Sequence, residues 1–134
     1  MCVFCKIAKH EIPSKVVYED DLILAFLDIQ PVTKGHTLII PKDHYANYAE
    51  TPSPIVAHIH EVAVDLTHRY AEVLKPNGFN LLSNMHEVAG QTMFHTHFHL
   101  IPRYDENDGL LLKFTHLSEA DCTAEECRKL FIQK

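Results

Sequence analysis

Apolar residues recur along this chain with two different periods, which together predict an α+β fold. Between positions 55 and 74 they recur every three or four residues, the spacing of one amphipathic helix face: Ile55, Ile59, Val62, Leu66 and Val73. A Ser-Pro pair at positions 53–54 supplies an N-cap and a favourable first residue. We therefore expect one long helix at about 55–74 that covers one face of a sheet.

Short runs of β-branched, aromatic and aliphatic residues, bounded by Pro, Gly and Asp, predict the strands of that sheet. The predicted strands are 16–18, 22–27, 36–40, 79–84 and 95–101. The first two form a hairpin, and prolines 41 and 102 are expected to end the third and fifth strands. The fold class is therefore α+β, an antiparallel sheet of about five strands packed by one long helix plus short helices.

The remaining segments predict smaller elements and a C-terminal tail. A short helix is expected at 4–10, a short edge segment at 110–112, and a final helix that runs from Thr123 to about Phe131 behind a capping box. The chain has 134 residues, 46% of them hydrophobic, with no internal repeat and no low-complexity linker. We expect a single domain over 1–134, with 105–134 as its tail.

The net charge and the distribution of apolar residues limit the classes of partner that we expect. The formal net charge is −6, so the chain offers no basic surface for docking on a nucleic-acid polymer, although a pocket can still bind one nucleotide. It has neither a run of 18 apolar residues nor a leader-like N-terminus. We therefore expect a cytoplasmic protein with no membrane partner.

Histidines occupy alternate positions in the run His95-Thr96-His97-Phe98-His99. On a strand all three would share one face, about 6–7 Å apart, and burying them is costly unless each is hydrogen-bonded. Two chemistries remain open at this point. The three imidazoles can chelate a catalytic zinc with an open position for water, or one of them can attack an electrophile covalently while its neighbours orient it. Three histidines on the predicted long helix are expected to be solvated: His58, His60 and His68.

Two further motifs suggest ligands. The Gly90-Gln91-Thr92 loop offers backbone N–H groups, an amide and a hydroxyl, which suit phosphate oxygens better than a zinc-bound water. Cys2-x-x-Cys5 is half of a tetrahedral metal site, and in a cytosolic chain such a pair binds metal or does redox chemistry more often than it forms a disulfide.

These motifs resemble the signature of the histidine-triad (HIT) superfamily of nucleotide hydrolases and transferases, of the zinc-binding Cys-x-x-Cys type. The resemblance covers about residues 2–104. Beyond the histidine run 95–101, it extends through Phe4-Cys5-Lys6-Ile7, Glu19-Asp20, Ala25-Phe26-Leu27-Asp28-Ile29, Pro31, Lys34-Gly35-His36, Ile40-Pro41-Lys42, Asn84 and Ala89-Gly90-Gln91-Thr92.

The resemblance implies roles for particular residues. His97 matches the nucleophile that attacks the α-phosphorus, His99 the histidine that contacts the α-phosphate, and Thr92 the hydroxyl near the scissile bridging atom. Asp28 matches the carboxylate that takes the ribose hydroxyls, and His36 a supporting histidine. Polar contacts near the phosphate match Asn84, Gly90 and Gln91. The apolar slot for the base matches Val3, Phe4, Ile7, Phe26, Leu27 and Ile29.

The resemblance also implies a structural zinc and a homodimer. The zinc ligands would be Cys2, Cys5, His44 and His95. This set would withdraw His95 from the active site and leave His97 and His99 as the working pair.

The function that we predict is hydrolysis of a purine nucleoside phosphoramidate or related nucleotide conjugate through a covalent nucleotidyl-histidine intermediate. The nearest alternative is a dinucleoside polyphosphate hydrolase, which has the same site and a different leaving group. From other classes, the alternatives are a nucleotide-binding, zinc-stabilised interaction protein with weak catalysis, and a hydrolytic zinc enzyme that uses all three histidines as ligands.

Overall fold

The structure is a computed structural model that describes residues 2–118 and 123–132, so 119–122 and 133–134 of the predicted tail lie outside the described residues. It contains three α-helices and five strands among these residues. The helices are α1 (Val3–Ala8), α2 (Ser53–Val73) and α3 (Ala124–Ile132). The strands are β1 (Lys15–Glu19), β2 (Ile23–Leu27), β3 (Thr37–Pro41), β4 (Gly78–Leu82) and β5 (Phe98–Arg103).

The five strands form one antiparallel sheet in the order β1-β2-β3-β5-β4. The predicted α+β class is therefore confirmed. β5, which carries the end of the histidine run, lies between β3 and β4, and His99 stands opposite Leu38 on one side and Leu82 on the other. His99 therefore lies on an inner strand that is paired on both edges.

Alternation along the strands gives the sheet two apolar faces. On one face, α2 packs its buried stripe, which includes Ile59 and Leu66, against strand residues such as Ile39 and Leu100. On the other face, α1 packs Phe4, Ile7 and Ala8 against Leu24, Phe26, Leu38 and Ile40. Val73, predicted for the helix stripe, is exposed. Among the described residues, no helix is long and apolar enough to span a bilayer.

The structure corrects the boundaries of the predicted histidine strand. β5 begins at Phe98, so His95 and His97 precede it. His95 and His97 lie outside the hydrogen-bonded sheet because Thr96, between them, bonds to residues that are not in a strand. The Thr96 N–H donates to the Tyr45 carbonyl (2.7 Å), and the Thr96 hydroxyl lies 2.7 Å from the Thr51 hydroxyl. Pro102 does not end the strand, because β3 pairs with β5 only as far as Leu100 and leaves Pro102 without a β3 neighbour.

The other boundaries are shifted by a few residues, and one predicted element is absent. α2 begins at Ser53, whose side chain makes no capping bond, so Ser53 is a helical residue rather than the predicted N-cap. The predicted capping box of α3 is confirmed, since the Glu126 N–H donates to the Thr123 hydroxyl. Residues 110–112 form no strand and run as an extended loop.

Candidate active site

The β2–β3 connection and β5 bring an acid and three histidines to one end of the sheet. Asp28 directly follows β2 and His36 directly precedes β3, and the Asp28 N–H donates to the His36 carbonyl (2.9 Å). The His36 ring lies against His99, with 5.2 Å between ring centroids, and His99 lies 5.0 Å from His97. The three rings therefore lie in space in the order His36, His99 and His97, and Asp28 lies beside His36.

Hydrogen bonds determine which nitrogen of His99 carries its proton. The Val32 N–H donates to Nδ1 of His36 (3.2 Å), so the proton of neutral His36 is on Nε2. That Nε2–H donates to Nδ1 of His99 (2.9 Å). His99 is consequently protonated on Nε2, the nitrogen left as a donor for a ligand. His36 thus sets the tautomer of His99, which gives the predicted supporting histidine a defined contact.

The tautomers of His97 and His95 follow in the same way, because a carbonyl can only accept. Nδ1–H of His97 donates to the His95 carbonyl (2.8 Å), which leaves the lone pair of His97 on Nε2. Nε2–H of His95 donates to the Pro41 carbonyl (2.8 Å), which leaves its lone pair on Nδ1. The two neighbouring imidazoles therefore present lone pairs from opposite ring nitrogens.

Burial keeps these histidines neutral. It lowers the pKa values of His36, His95 and His97 below the ordinary value, against the opposing effect of Asp28 on His36 and His97. For His99, burial together with the nearby His97 and His36 lowers the pKa to about 4. At neutral pH the site therefore presents a nucleophilic imidazole nitrogen beside an imidazole N–H donor.

An apolar cavity of about 200 Å³ is lined by residues of α1 and by the end of β2. Its walls include every residue predicted for the base slot, namely Val3, Phe4, Ile7, Phe26, Leu27 and Ile29. Asp28 stands at the same cavity, with Oδ1 held by the Gln30 N–H and Oδ2 3.8 Å from Nε2 of His36. Phe4 also meets His97 edge to face, with 5.2 Å between ring centroids. Phe4 thus lines the cavity and also contacts the imidazole that carries the free Nε2.

A second cavity, of about 190 Å³, is lined by His36 and His99. Three residues predicted near the phosphate line it: Asn84, Gly90 and Thr92. Its apolar walls were not predicted from the sequence and come from four separate segments, namely the β2–β3 loop, β4, β5 and the tail: Val32, Leu82, Ile101 and Leu110. The sequence around each of these apolar positions does not indicate that it lines a cavity, because only the fold brings the β2–β3 loop, the sheet and the tail together.

The loop before β5 contacts this cavity differently from the prediction. The Gln91 side chain is buried and engaged entirely with backbone: its amide donates to the Ala46 and Met93 carbonyls, and its oxygen accepts from the His86 N–H. The Gly90 N–H donates to the Glu87 carbonyl. The Gln91 amide and the Gly90 N–H are therefore not free to donate to a phosphate, and their hydrogen bonds stabilise the loop. Gly90 has a φ of +103°, which favours glycine.

The described structure leaves other polar groups available at the second cavity. Within 2–118 and 123–132, neither the Asn84 amide nor the Thr92 hydroxyl makes a hydrogen bond, and both residues line the cavity next to His99. With Nε2–H of His99, they make three donors at one place. This set suits the oxygens of one phosphoryl group.

A separate cluster brings together Cys2, Cys5, His44 and His95, whose ligand atoms all lie within 4.8 Å of one another. Nδ1 of His95 lies 3.5 Å from each sulfur and 3.2 Å from Nδ1 of His44, which is 3.3 Å from Sγ of Cys5. A tetrahedral zinc with ordinary bond lengths spaces its ligand atoms about 3.3–3.8 Å apart. The donor set and its spacing therefore fit zinc, and the Pro41 carbonyl already turns the His95 lone pair towards it.

Comparisons with known proteins show which chains this one is similar to. A family model described as the HIT domain matches residues 9–106. An uncharacterised HIT-like protein of Methanocaldococcus jannaschii is 47% identical, over 90% of this chain and 92% of that protein. Adenosine 5'-monophosphoramidase HNT1 of Saccharomyces cerevisiae is 43% identical, over 83% of this chain and 68% of that protein. The crystal structure of a HIT family protein from Bacillus anthracis has a TM-score of 0.89 at 45% identity, over 97% of this chain and 92% of that chain.

Proposed function

Since the chain belongs to the HIT domain family, we propose that it hydrolyses purine nucleoside phosphoramidates, or related nucleotide conjugates, through a covalent nucleotidyl-His97 intermediate. The observation that carries this proposal is the pair of tautomers at the site. His97 is left with a lone pair on Nε2, and the neighbouring His99 with an N–H. A nucleophile and a charge-stabilising donor side by side are the requirements of displacement at phosphorus.

In the first step, Nε2 of His97 forms a bond to the α-phosphorus as the bond from phosphorus to the leaving nitrogen breaks. The electron pair of the broken bond goes to the leaving amine, which takes a proton from the Thr92 hydroxyl as that hydroxyl takes one from solvent water. Nε2–H of His99 and the Asn84 amide stabilise the charge on the non-bridging oxygens. The leaving group departs into the second cavity, where Thr92 lies.

In the second step, a water oxygen bonds to phosphorus and the bond to Nε2 breaks. The electron pair returns to the imidazole, the water loses its proton to solvent, and a nucleoside monophosphate is released. Because Nδ1–H of His97 stays bonded to the His95 carbonyl, the imidazolium-like charge that forms on phosphorylation is stabilised and the ring keeps its orientation.

The apolar cavity is the part of the site that we assign to the nucleoside. Its aliphatic and aromatic walls suit a planar base, and the Asp28 carboxylate offers acceptors for the two ribose hydroxyls. The Asp28 oxygen near Nε2 of His36 also links ribose binding to the His36–His99 pair. Binding at this end would therefore place the α-phosphorus at His97.

We also propose that the cluster of Cys2, Cys5, His44 and His95 holds a structural zinc. Bound there, zinc supplies a cross-link between the N-terminal segment, the loop after β3 and the segment before β5. Phe4 connects this cluster to the active site, because its ring contacts both His95 and His97, at 5.9 and 5.2 Å between ring centroids.

Two observations disfavour the alternative in which all three histidines bind a catalytic zinc. The free Nδ1 of His95 lies in the cluster with Cys2, Cys5 and His44. Nε2 of His99 carries a proton, because Nδ1 of that ring accepts from His36.

A substrate panel tests the proposal. Purified protein is offered adenosine and guanosine 5'-phosphoramidates and diadenosine polyphosphates, and release of nucleoside monophosphate is measured. We expect turnover of the phosphoramidates, with diadenosine polyphosphates hydrolysed at least about tenfold more slowly. Faster turnover of the polyphosphates would favour the dinucleoside polyphosphate alternative. Nucleotide binding without turnover of any substrate would favour an interaction protein.

The pH profile of kcat/KM is expected to stay flat from about pH 8 to about pH 6 and to fall only below that. Burial and the neighbouring histidines lower the pKa of His99 to about 4, so this ring stays neutral through the range, and burial also lowers the pKa of His97, so this ring is protonated at a lower pH than an ordinary histidine. Initial rates at low substrate concentration in buffers of constant ionic strength measure the profile. An acid limb centred at or above about pH 6.5 would contradict the burial argument.

A further inference from the structure

A third cavity, of about 340 Å³, lies beside the C-terminal end of α2 and takes no part in the proposed function. We call it the α2 cavity. Its apolar walls come from α2, β1 and β2, and they are formed by Val17, Leu27, Tyr70, Val73 and Leu74. Leu27 also lines the apolar cavity that we assign to the nucleoside. Because α1 and α2 cover opposite faces of the sheet, the two cavities otherwise belong to opposite faces.

Hydrogen bonds and a close approach of backbone fix the shape of the α2 cavity. The Thr37 hydroxyl donates to the Gly35 carbonyl (2.8 Å), so the Tyr70 hydroxyl donates to the Thr37 oxygen (2.8 Å) and holds the tyrosine ring in place. Gly35 has a φ of +93°, and a Cβ at this position would lie 2.6 Å from Cδ1 of Leu74. The cavity is therefore formed before any ligand arrives, as is usual for small-molecule sites.

Two cations without ion-pair partners lie at the α2 cavity. Lys34 and Arg69 line it, both are exposed, and neither makes a side-chain hydrogen bond or an ion pair within residues 2–118 and 123–132. The Tyr104 hydroxyl donates to the Lys34 carbonyl (2.7 Å) and anchors that residue. A third cation, Lys15, stands opposite Leu27 in the register of β1 and β2, so it belongs to the same face of the sheet. In a chain with a formal net charge of −6, this region attracts anions locally.

The lining indicates the chemistry of a ligand. Apolar walls favour a hydrocarbon, and the two cations favour a negative charge at one end of it. None of the described residues that line the cavity is an aspartate or a glutamate, which would oppose that charge. At about 30 Å³ for each non-hydrogen atom, the cavity has room for about eleven such atoms. A medium-chain amphipathic anion meets all of these conditions.

We propose that the α2 cavity is a binding site for a medium-chain fatty carboxylate of about eight to ten carbons. The alkyl chain lies against Val17, Tyr70 and Leu74, and the carboxylate binds to Arg69 and Lys34. The planar guanidinium of an arginine can donate to both carboxylate oxygens, and a lysine adds a point charge. Binding at this site does not depend on the hydrolytic function proposed above.

Three ligands test the two halves of the proposal: decanoate, decylammonium and butyrate. Decylammonium has the same chain length as decanoate with the opposite charge, and butyrate has the same charge with a shorter chain. Isothermal titration calorimetry on the full chain, below the micelle concentration, measures the dissociation constants. We expect one decanoate per chain, bound at least about tenfold more tightly than either of the others. Equal affinity for decylammonium, equal affinity for butyrate, or no saturable binding of decanoate would overturn the proposal.

Charge reversal places the ligand at the α2 cavity. Arg69→Glu and Lys34→Glu are each expected to weaken decanoate binding about tenfold, because an attraction becomes a repulsion. The control Lys129→Glu makes the same change in net charge at an exposed position of α3, and we expect it to leave the affinity within about twofold of the unaltered value. Equal losses in Arg69→Glu and Lys129→Glu, or no loss in either cavity variant, would overturn the site.

Two features keep these results unambiguous. Lys34 and Arg69 are exposed, so the variants are expected to fold, and a Tm within a few degrees of the unaltered value, measured by calorimetry, confirms it. The measured quantity is binding of decanoate rather than hydrolysis. Failure of this proposal therefore leaves the proposed function standing, and failure of the proposed function leaves the α2 cavity to be judged by its own titrations.

Discussion

Replacing His97 with asparagine is expected to lower kcat/KM for adenosine 5'-phosphoramidate by a factor of at least about 10⁴. Asparagine is close in size, and its amide can still donate to the His95 carbonyl as Nδ1 of His97 does. It has no nucleophilic nitrogen to bond to phosphorus, so the two-step route is lost while the fold and the nucleoside cavity remain. Steady-state kinetics measure the loss, and calorimetry measures the binding of a nucleoside monophosphate, which we expect to be retained.

A second histidine substitution controls for general effects on the protein. His68→Asn changes an exposed residue of α2 and is expected to leave kcat/KM within about twofold of the unaltered value. A His97→Asn variant that keeps most of its activity would rule out covalent catalysis by this residue. A variant that loses both activity and nucleotide binding would point instead to damage of the cavity beside Phe4.

Replacing Cys5 with alanine is expected to remove bound zinc and to lower Tm by about 10 °C, through loss of about 3 kcal/mol of stability. The substitution deletes a sulfur that lies 3.3 Å from Nδ1 of His44 and 3.5 Å from Nδ1 of His95. Without that ligand the N-terminal segment loses its cross-link to the sheet. Metal content by elemental analysis and Tm by calorimetry measure the two effects.

The outcome of this substitution distinguishes a structural zinc from a catalytic one. Cys127→Ala, a cysteine on α3 outside the cluster, serves as the control and is expected to keep the zinc. His97→Asn is also expected to keep it. Zinc retained in Cys5→Ala but lost in His97→Asn would reverse the assignment and make the histidine run the metal site.

Short runs of β-branched, aromatic and aliphatic residues predicted the sheet well, because the central strands β2 and β3 are buried along almost their whole length. The alternation of His97 and His99 with Phe98 and Leu100 does separate the two faces: Phe98 and Leu100 pack in the cluster under α2, and His99 stands opposite Leu38 on the other face. The start of β5 was misplaced because it depends on contacts of Thr96 with residues 45 and 51. No pattern within positions 95–101 contains that information.

The same distinction applies to the site. The resemblance to the HIT superfamily was enough to group the residues of the apolar cavity and of the Cys-His cluster, since each group is made of several matching positions. Single polar residues were less predictable: Gln91 became a backbone brace, and His58, expected to be solvated, lies 2.6 Å from the Asp20 carboxylate. Gln91 donates to the carbonyl of Ala46, which lies 45 positions away in the sequence, and His58 lies 38 positions from Asp20.

The central claim, that the reaction passes through a covalent bond between His97 and phosphorus, is tested most directly by the stereochemical course at the α-phosphorus. An adenosine phosphoramidothioate of known configuration is hydrolysed in isotopically labelled water, and the configuration of the product is determined. Each in-line displacement inverts phosphorus, so two successive displacements predict net retention. Net inversion would show a single direct attack by water and would contradict the account.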